Sequence, residues 1–115
     1  MKIKIVALKK DEDFKKLLTG RKLSNKYFIM FSKKLLKKES NYLNLSIVAK
    51  KKIFSKAVDR NFCKRRLKNV VNQAIKNMSL NLNYSYLILA KDNVLKKNYF
   101  EDLKKTTFEE FNKIR

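Results

Sequence analysis

The distribution of charge constrains this chain more than any other feature of its sequence. Thirty Lys and Arg residues stand against ten Asp and Glu residues, which gives a formal net charge of +20 over 115 residues. Residues 14–98 contain 22 of the basic residues and only three acidic ones, so this region alone carries +19. Such a charge destabilises a compact domain by self-repulsion unless a partner neutralises it. The sequence therefore predicts a folded domain that binds a polyanion.

Composition and length indicate one small domain spanning residues 1–115. Apolar residues make up 44% of the chain and include eight Phe and five Tyr, which is enough for one modest core. There is no proline, the only glycine is Gly20, and no low-complexity linker or internal repeat interrupts the sequence. We therefore expect no internal domain boundary.

Nucleic acid is the commonest partner of such a charge, and an anionic membrane is the next. No apolar run approaches the roughly 20 residues of a membrane-spanning helix. The apolar part of the opening MKIKIVALKK is too short for a signal peptide and lacks a cleavage site of small residues. Cys63 is the only cysteine, so the chain has no disulfide framework. We therefore expect a cytoplasmic protein without a membrane partner.

Hydrophobic periodicity predicts helices and strands in an α+β arrangement. The segment DEDFKKLL (Asp11–Leu18) is typical of a short helix, with acidic residues in the first turn and lysines after them. Strands are predicted at Lys26–Ser32, at residues 43–49 and, as a more central strand, at Ser85–Lys91. A final helix is predicted from about Asn98, with one core-facing stripe: Phe100, Leu103, Thr107, Phe111 and Ile114. The expected fold class is a small mixed sheet with packed helices.

The most basic helix is predicted between the last two strands, with Ser55 as the candidate N-cap and Asp59 in the first turn. At 100° per residue, one stripe of this helix is apolar: Cys63, Leu67, Val70, Val71, Ala74 and Met78. The opposite face is polar and basic: Asn61, Arg65, Lys68, Asn69, Asn72 and Lys76.

A run of charge on a helix is often only a solvated face, but three features favour phosphate binding here. A solvated face usually mixes the two signs, whereas no acidic residue lies between Lys64 and Lys76. Three of the five arginines fall between Asp59 and Gln73, and arginine binds phosphate through a bidentate fork. The preceding AKKK segment (Ala49–Lys52) and Lys56 are basic as well.

The segment AKKKIFSKAVDRNFCKRRLKNVV resembles the signature of the bacterial ribonuclease P protein component. In that family a lysine pair ending a strand precedes a short loop and a helix with an Arg-Asn-Arg motif and further basic residues. Phe62 stands where the family usually has its second arginine, and the neighbouring Arg66 offers partial compensation. Through this resemblance and the charge of the flanks, the following residues are expected to bind the catalytic RNA: Lys51, Lys52, Lys56, Arg60, Asn61, Lys64, Arg65, Arg66 and Lys68.

The resemblance extends over nearly the whole chain and implies a fold and a function. The implied element order is α-β-β-β-α-β-α, as in the second domain of a small-subunit ribosomal protein. Its βαβ crossover is left-handed, against the usual rule. The implied function is that of a single RNA-binding domain, a monomer in a one-to-one complex with the catalytic RNA of ribonuclease P. That RNA would remove the 5′ leader of precursor tRNA, with magnesium acting through the RNA subunit.

The resemblance also implies a cleft between the sheet and the first helix that holds the single-stranded leader. Phe14 and Phe31 fall where family members have cleft aromatics, and Leu18 occupies a place where some members carry another. Phe62 lies on the polar side of its helix, which suits stacking on a nucleotide, so we predict Phe14, Phe31 and Phe62 as leader-binding residues. The alternative for each Phe is packing in the core. In a strand two faces alternate: Phe28 and Met30 on one, Tyr27, Ile29 and Phe31 on the other.

The chemistry of the chain favours a non-catalytic subunit of this endoribonuclease. No His is present, and the clustered acidic residues Asp11–Asp13 are consecutive, which suits a helix start better than a metal site. We expect no metal ligands and no catalytic residue in the protein. The alternatives are a structural, ribosomal-type RNA-binding protein without a catalytic RNA partner and, third, a self-sufficient nuclease.

Overall fold

The computed structural model describes residues 3–7, 11–34, 42–78, 80, 82–95 and 100–114, with the backbone alone for residues 11–14. The strands are β1 (Lys4–Val6), β2 (Arg21–Ser24), β3 (Phe28–Lys34), β4 (Tyr42–Val48) and β5 (Tyr84–Ala90). The helices are α1 (Asp11–Leu18), α2 (Ala57–Asn77) and α3 (Phe100–Asn112), with a 3-10 turn at Asp92–Leu95.

The five strands form one mixed sheet in the order β1-β4-β5-β3-β2. Strand β4 is parallel to both of its neighbours, β1 and β5, whereas β3 is antiparallel to β5 and β2. The prediction of a central strand near Ser85–Lys91 is confirmed, because β5 lies in the middle of the sheet. Helix α2 connects the parallel neighbours β4 and β5, which forms the expected βαβ unit. The left-handedness of this crossover stays a prediction.

From Asp11 onward the observed order is the expected α-β-β-β-α-β-α, and β1 precedes it as an additional strand. The edge strands β1 and β2 were not identified from periodicity. They have only three and four residues, which is too short for alternation alone to identify a strand. Their pairing with β4 and β3, rather than local propensity, makes them strands.

Most of the core lies on the face of the sheet that α2 and α3 cover. The predicted stripe of α2 packs there: Cys63, Leu67, Val70, Val71 and Ala74 are all fully buried. Phe28 and Met30 of β3 and Leu103 and Phe111 of α3 belong to the same cluster. The amphipathic interpretation of both helices is confirmed.

The other face of the sheet carries a smaller cluster beneath α1. Leu17 of α1 packs with Phe31 of β3 and Leu87 of β5. Gly20 lets the chain pass close to β3 after this helix, because a Cβ at this position would lie 2.3 Å from the backbone oxygen of Ser32. Any side chain here would push the end of α1 away from the sheet.

Helix α2 begins two residues after the predicted N-cap, so the assignment of Ser55 is wrong. The N-cap position is Lys56, which has extended backbone angles and makes no side-chain capping hydrogen bond. The Arg60 guanidinium instead donates to the backbone oxygens of Phe54 and Ser55, at 2.9 Å and 3.2 Å. These bonds fix the loop against the first turn without an N-cap side chain.

Tyr27 departs from the predicted alternation, because it is fully buried in the main core rather than on the face of Ile29 and Phe31. Strand β3 begins only at Phe28, so Tyr27 does not follow the pleat. Its hydroxyl donates to Oδ2 of Asp102 at 2.5 Å, and Lys26 Nζ lies 2.7 Å from the same oxygen. This contact ties the start of β3 to α3.

Replacing Asp102 by Asn is expected to lower stability in a pH-dependent way. The hydrogen bonds from Lys26 and Tyr27 hold the pKa of Asp102 below its ordinary value. A lowered folded-state pKa adds stability above the unfolded pKa of about 3.9, and this contribution is lost as the pH falls through the folded value. Urea unfolding from pH 7 down to pH 2 should show Asp102→Asn less stable at neutral pH and close to the unsubstituted protein in acid. Glu101→Gln, on the same turn of α3, is the control, and a difference independent of pH would contradict the expectation.

Candidate nucleic-acid interface

The exposed face of α2 presents the predicted basic residues on a rigid support. Burial of the opposite stripe fixes the rotation of the helix, so Asn61, Lys64, Arg65 and Lys68 all lie in solvent. Within the described part of the chain, the two ion pairs join Lys26 to Asp102 and Lys113 to Glu110, and neither involves this face. The helix therefore displays cations that described carboxylates do not neutralise, as a phosphate-binding surface requires.

The loop before α2 extends this basic face. Phe54 is 1% exposed and anchors the loop in the core, while its backbone N–H donates to the Lys50 oxygen at 2.8 Å. Lys51, Lys52 and Lys56 around this anchor are exposed. The structure thus brings the predicted lysine pair and the basic helix into one connected surface.

Arg60 and Arg66 are half-buried and differ from their exposed neighbours in having contacts within the protein. Arg60 holds the loop through its two hydrogen bonds to backbone oxygens. The Arg66 guanidinium carbon lies 5.8 Å from the centre of the Phe62 ring and 5.2 Å from that of Phe100. Both distances are those of cation–π contacts. Arg66 therefore joins α2 to the first residue of α3.

A pocket of about 390 Å³ opens between α2 and the start of α3. It is lined by Phe62, Arg65, Arg66, Asn69 and Phe100. The four α2 residues share one side of the helix, since they are three or four positions apart. The walls thus combine aromatic rings with guanidinium and amide groups.

The cluster under α1 forms the second predicted surface. Phe31 is 9% exposed and packs on Leu17 and Leu87, with Ile29 and Leu89 partly buried beside it. The side chain of Phe14 lies outside the described residues. Phe62, in contrast, belongs to α2, which covers the opposite face of the sheet. The grouping of Phe62 with Phe31 in one cleft is therefore wrong, because the two helices lie on different sides.

Comparison with known proteins assigns the family. The family model described as Ribonuclease P matches residues 4–115.

The chain belongs to the ribonuclease P protein family.

Solved structures of ribonuclease P proteins share its fold. The protein from Thermotoga maritima is 21% identical, with a TM-score of 0.76 over 96% of this chain and 98% of that one. The protein from Staphylococcus aureus is 24% identical, with a TM-score of 0.67 over 94% of this chain and 93% of that one. Among curated protein sequences, none matches this chain. The α+β fold and the family expected from the sequence are both confirmed.

In this member of the ribonuclease P family, the pairing register of β2 and β3 places a cation at the surface under α1. Lys22 of β2 lies directly opposite Phe31 of β3, and directly opposed residues point to the same face of a sheet. Lys22 is exposed. It was not predicted as a site residue, because β2 was not identified as a strand and the basic residues around Gly20 looked like a loop.

Two further residues of this ribonuclease P protein, Asn69 and Phe100, were not predicted as site residues. Asn69 was assigned only to the polar face of its helix, and Phe100 to the core stripe of α3. Their proximity to Phe62 is a tertiary contact between α2 and α3. The signal available in the sequence was Phe62 itself, an aromatic residue on a polar face.

The chemistry of the described residues in this ribonuclease P protein offers no metal or thiol centre. Within the described ranges, no three His, Cys, Asp or Glu residues are grouped as metal ligands. Burial raises the pKa of the Cys63 thiol to about 11, so it remains protonated at neutral pH. Among the same residues, no helix is long and apolar enough to cross a membrane.

Proposed function

We propose that this chain is a protein subunit of ribonuclease P, acting as a single RNA-binding domain in a one-to-one complex with the catalytic RNA. The uninterrupted basic face of α2 supports the proposal most directly. Its exposed cations are fixed by the buried stripe beneath them and are continuous with the lysine-rich loop. Rigid display of Lys and Arg lowers the ordering cost of binding a folded RNA backbone.

The loop and α2 would bind the catalytic RNA through two kinds of residue. The exposed cations Lys51, Lys52, Lys56, Lys64, Arg65 and Lys68 would contact phosphates, and Asn61 would add an amide donor. Arg60 and Arg66 would act mainly by positioning, since their guanidinium groups hold the loop and α3. By resemblance to the family, magnesium-assisted hydrolysis would be supplied by the RNA subunit.

The surface under α1 would hold the single-stranded 5′ leader of precursor tRNA. Unpaired RNA is bound where bases stack on apolar or aromatic side chains and cations follow the backbone. Phe31 provides part of an aromatic edge, Ile29 and Leu89 extend the apolar floor, and Lys22 stands beside them. By resemblance, Phe14 belongs to the same cleft.

Reconstitution of precursor tRNA cleavage tests the proposed function. The protein is expected to restore cleavage by the cognate catalytic RNA at low magnesium, and to show no activity when purified free of RNA. Failure with the cognate RNA, or binding confined to ribosomal RNA, would favour a structural RNA-binding protein. Cleavage by the protein alone would instead indicate a self-sufficient nuclease.

The variant Phe31→Leu is expected to bind leader-bearing precursor tRNA more weakly in the holoenzyme, by on the order of threefold, because the accessible edge of one aromatic ring is lost. Binding of mature tRNA should be unchanged, since it lacks the leader. Titration of the two RNAs measures the difference. Leu87→Met, a similar-volume change in the same cluster, is the control for packing. Equal losses for both RNAs would assign Phe31 a purely structural role.

A further inference from the structure

The pocket between α2 and α3 combines features that a plain phosphate-binding surface does not need. Phe62 is 37% exposed although it is a large apolar residue in the most polar helix of the chain. Its ring does not join the core but lines the pocket together with Phe100. Burial therefore does not account for a phenyl ring at this position, whereas contact with a flat apolar ligand does.

The polar groups around the rings select an anionic ligand. Arg65 and Arg66 supply two cations, and none of the described residues that line the pocket is acidic. Arg66 already contacts both rings, so its guanidinium loses little freedom when a ligand arrives. Arg65 is exposed and makes a fork suited to phosphate.

Asn69 adds a hydrogen-bonding group of defined orientation. Its Oδ1 accepts a hydrogen bond from Gln73 Nε2 at 3.1 Å, which leaves its Nδ2 group to donate. Carbonyl oxygens and ring nitrogens of nucleobases are acceptors for such a donor. The pocket, of about 390 Å³, is wide open to solvent, so a nucleotide of an RNA strand can approach it from outside.

We propose that this pocket binds one unpaired nucleotide of the partner RNA, with the base stacked at Phe62 and the phosphate bound by Arg65. The proposal rests on the proposed function in taking RNA as the partner, and it adds a base-reading contact to a surface otherwise described by charge. Arg66 is the positioning residue, because its contacts with Phe62 and Phe100 fix the ring that meets the base.

Binding of the ribonuclease P catalytic RNA across a salt series tests the proposal. Phe62→Leu is expected to weaken binding on the order of tenfold at every salt concentration, because stacking is lost without loss of charge. The slope of log affinity against log salt should therefore not change. Phe62→Tyr keeps a ring and should bind like the unsubstituted protein. Tyr42→Leu removes an equally exposed ring, at 39%, from the start of β4 and is the matched control.

Two ligands that carry the same phosphate group but differ in having a base show whether the pocket binds a nucleotide or only an anion. Adenosine monophosphate is expected to shift the NMR signals of the Asn69 side-chain amide and the Arg66 Nε–H more than ribose 5-phosphate does, and Phe62→Leu should abolish the difference. Equal shifts from both ligands, or none from either, would overturn the proposal, as would unchanged RNA binding by Phe62→Leu. Failure of the unsubstituted protein to bind the RNA would instead contradict the proposed function. The mononucleotide experiment would still test whether the pocket binds a nucleotide.

Discussion

The double variant Arg65→Ala/Lys68→Ala is expected to bind the catalytic RNA of ribonuclease P with a weaker salt dependence, because about two phosphate contacts are lost. Each contact contributes roughly 0.9 to the slope of log affinity against log salt. The slope should therefore fall by about 2. When salt is raised from 50 to 200 mM, the factor by which affinity falls should be about ten times smaller for the double variant than for the unsubstituted protein. Both side chains are exposed on α2, so the fold should tolerate their removal.

A variant of equal net charge separates specific contacts from general attraction. Lys4→Ala/Lys105→Ala removes two exposed cations from β1 and α3. We expect its slope to stay close to that of the unsubstituted protein. If both pairs lowered the slope equally, the RNA would be attracted by total charge and the α2 face would have no special part in binding.

Leu67→Ala is expected to lower the free energy of unfolding by about 2–5 kcal/mol, the usual cost of such a cavity in a core. Leu67 is fully buried in the middle of the stripe that joins α2 to the sheet. Because small domains are stable by only about 5–15 kcal/mol, this is a large part of the total. Urea unfolding of the RNA-free protein measures it.

The adjacent variant Lys68→Ala is the control for Leu67→Ala, because it lies one residue away on the exposed side of α2. It should change the unfolding free energy by no more than about 0.5 kcal/mol. Saturating RNA should recover part of the stability of Leu67→Ala, since a ligand that binds only the folded state shifts the equilibrium toward it. A loss below about 1 kcal/mol would mean that α2 is not held by this stripe.

Long periodic elements could be predicted from the sequence because their own residues determine them. The stripe from Cys63 to Ala74 specifies both the existence of α2 and the face that it buries. The apolar run of β5 indicated its central position in the same way. Short edge strands such as Lys4–Val6 contain too few residues for this reasoning, and their partners are distant in the chain.

The exposed cations of the candidate site could be predicted for the same reason, whereas its contacts could not. The rotation of α2 follows from its buried stripe, which leaves Lys64, Arg65 and Lys68 in solvent. The contact of Arg66 with Phe100 joins residues on separate helices, so no local pattern encodes it. Likewise, the place of Lys22 beside Phe31 depends on a strand register.

The position of β5 in the sheet has a consequence for biosynthesis. Strands β3 and β4 are not paired with each other: both pair with β5, which is the last strand among the described residues. A nascent chain that ends before Tyr84 therefore holds at most two separate ribbons, β1–β4 and β2–β3, with the core side of α2 uncovered. Folding through such distant pairings is slow, and unfinished chains expose apolar surface. The ribosome must therefore release the chain through Ala90 before β5 can join the two ribbons into the sheet on which α2 packs.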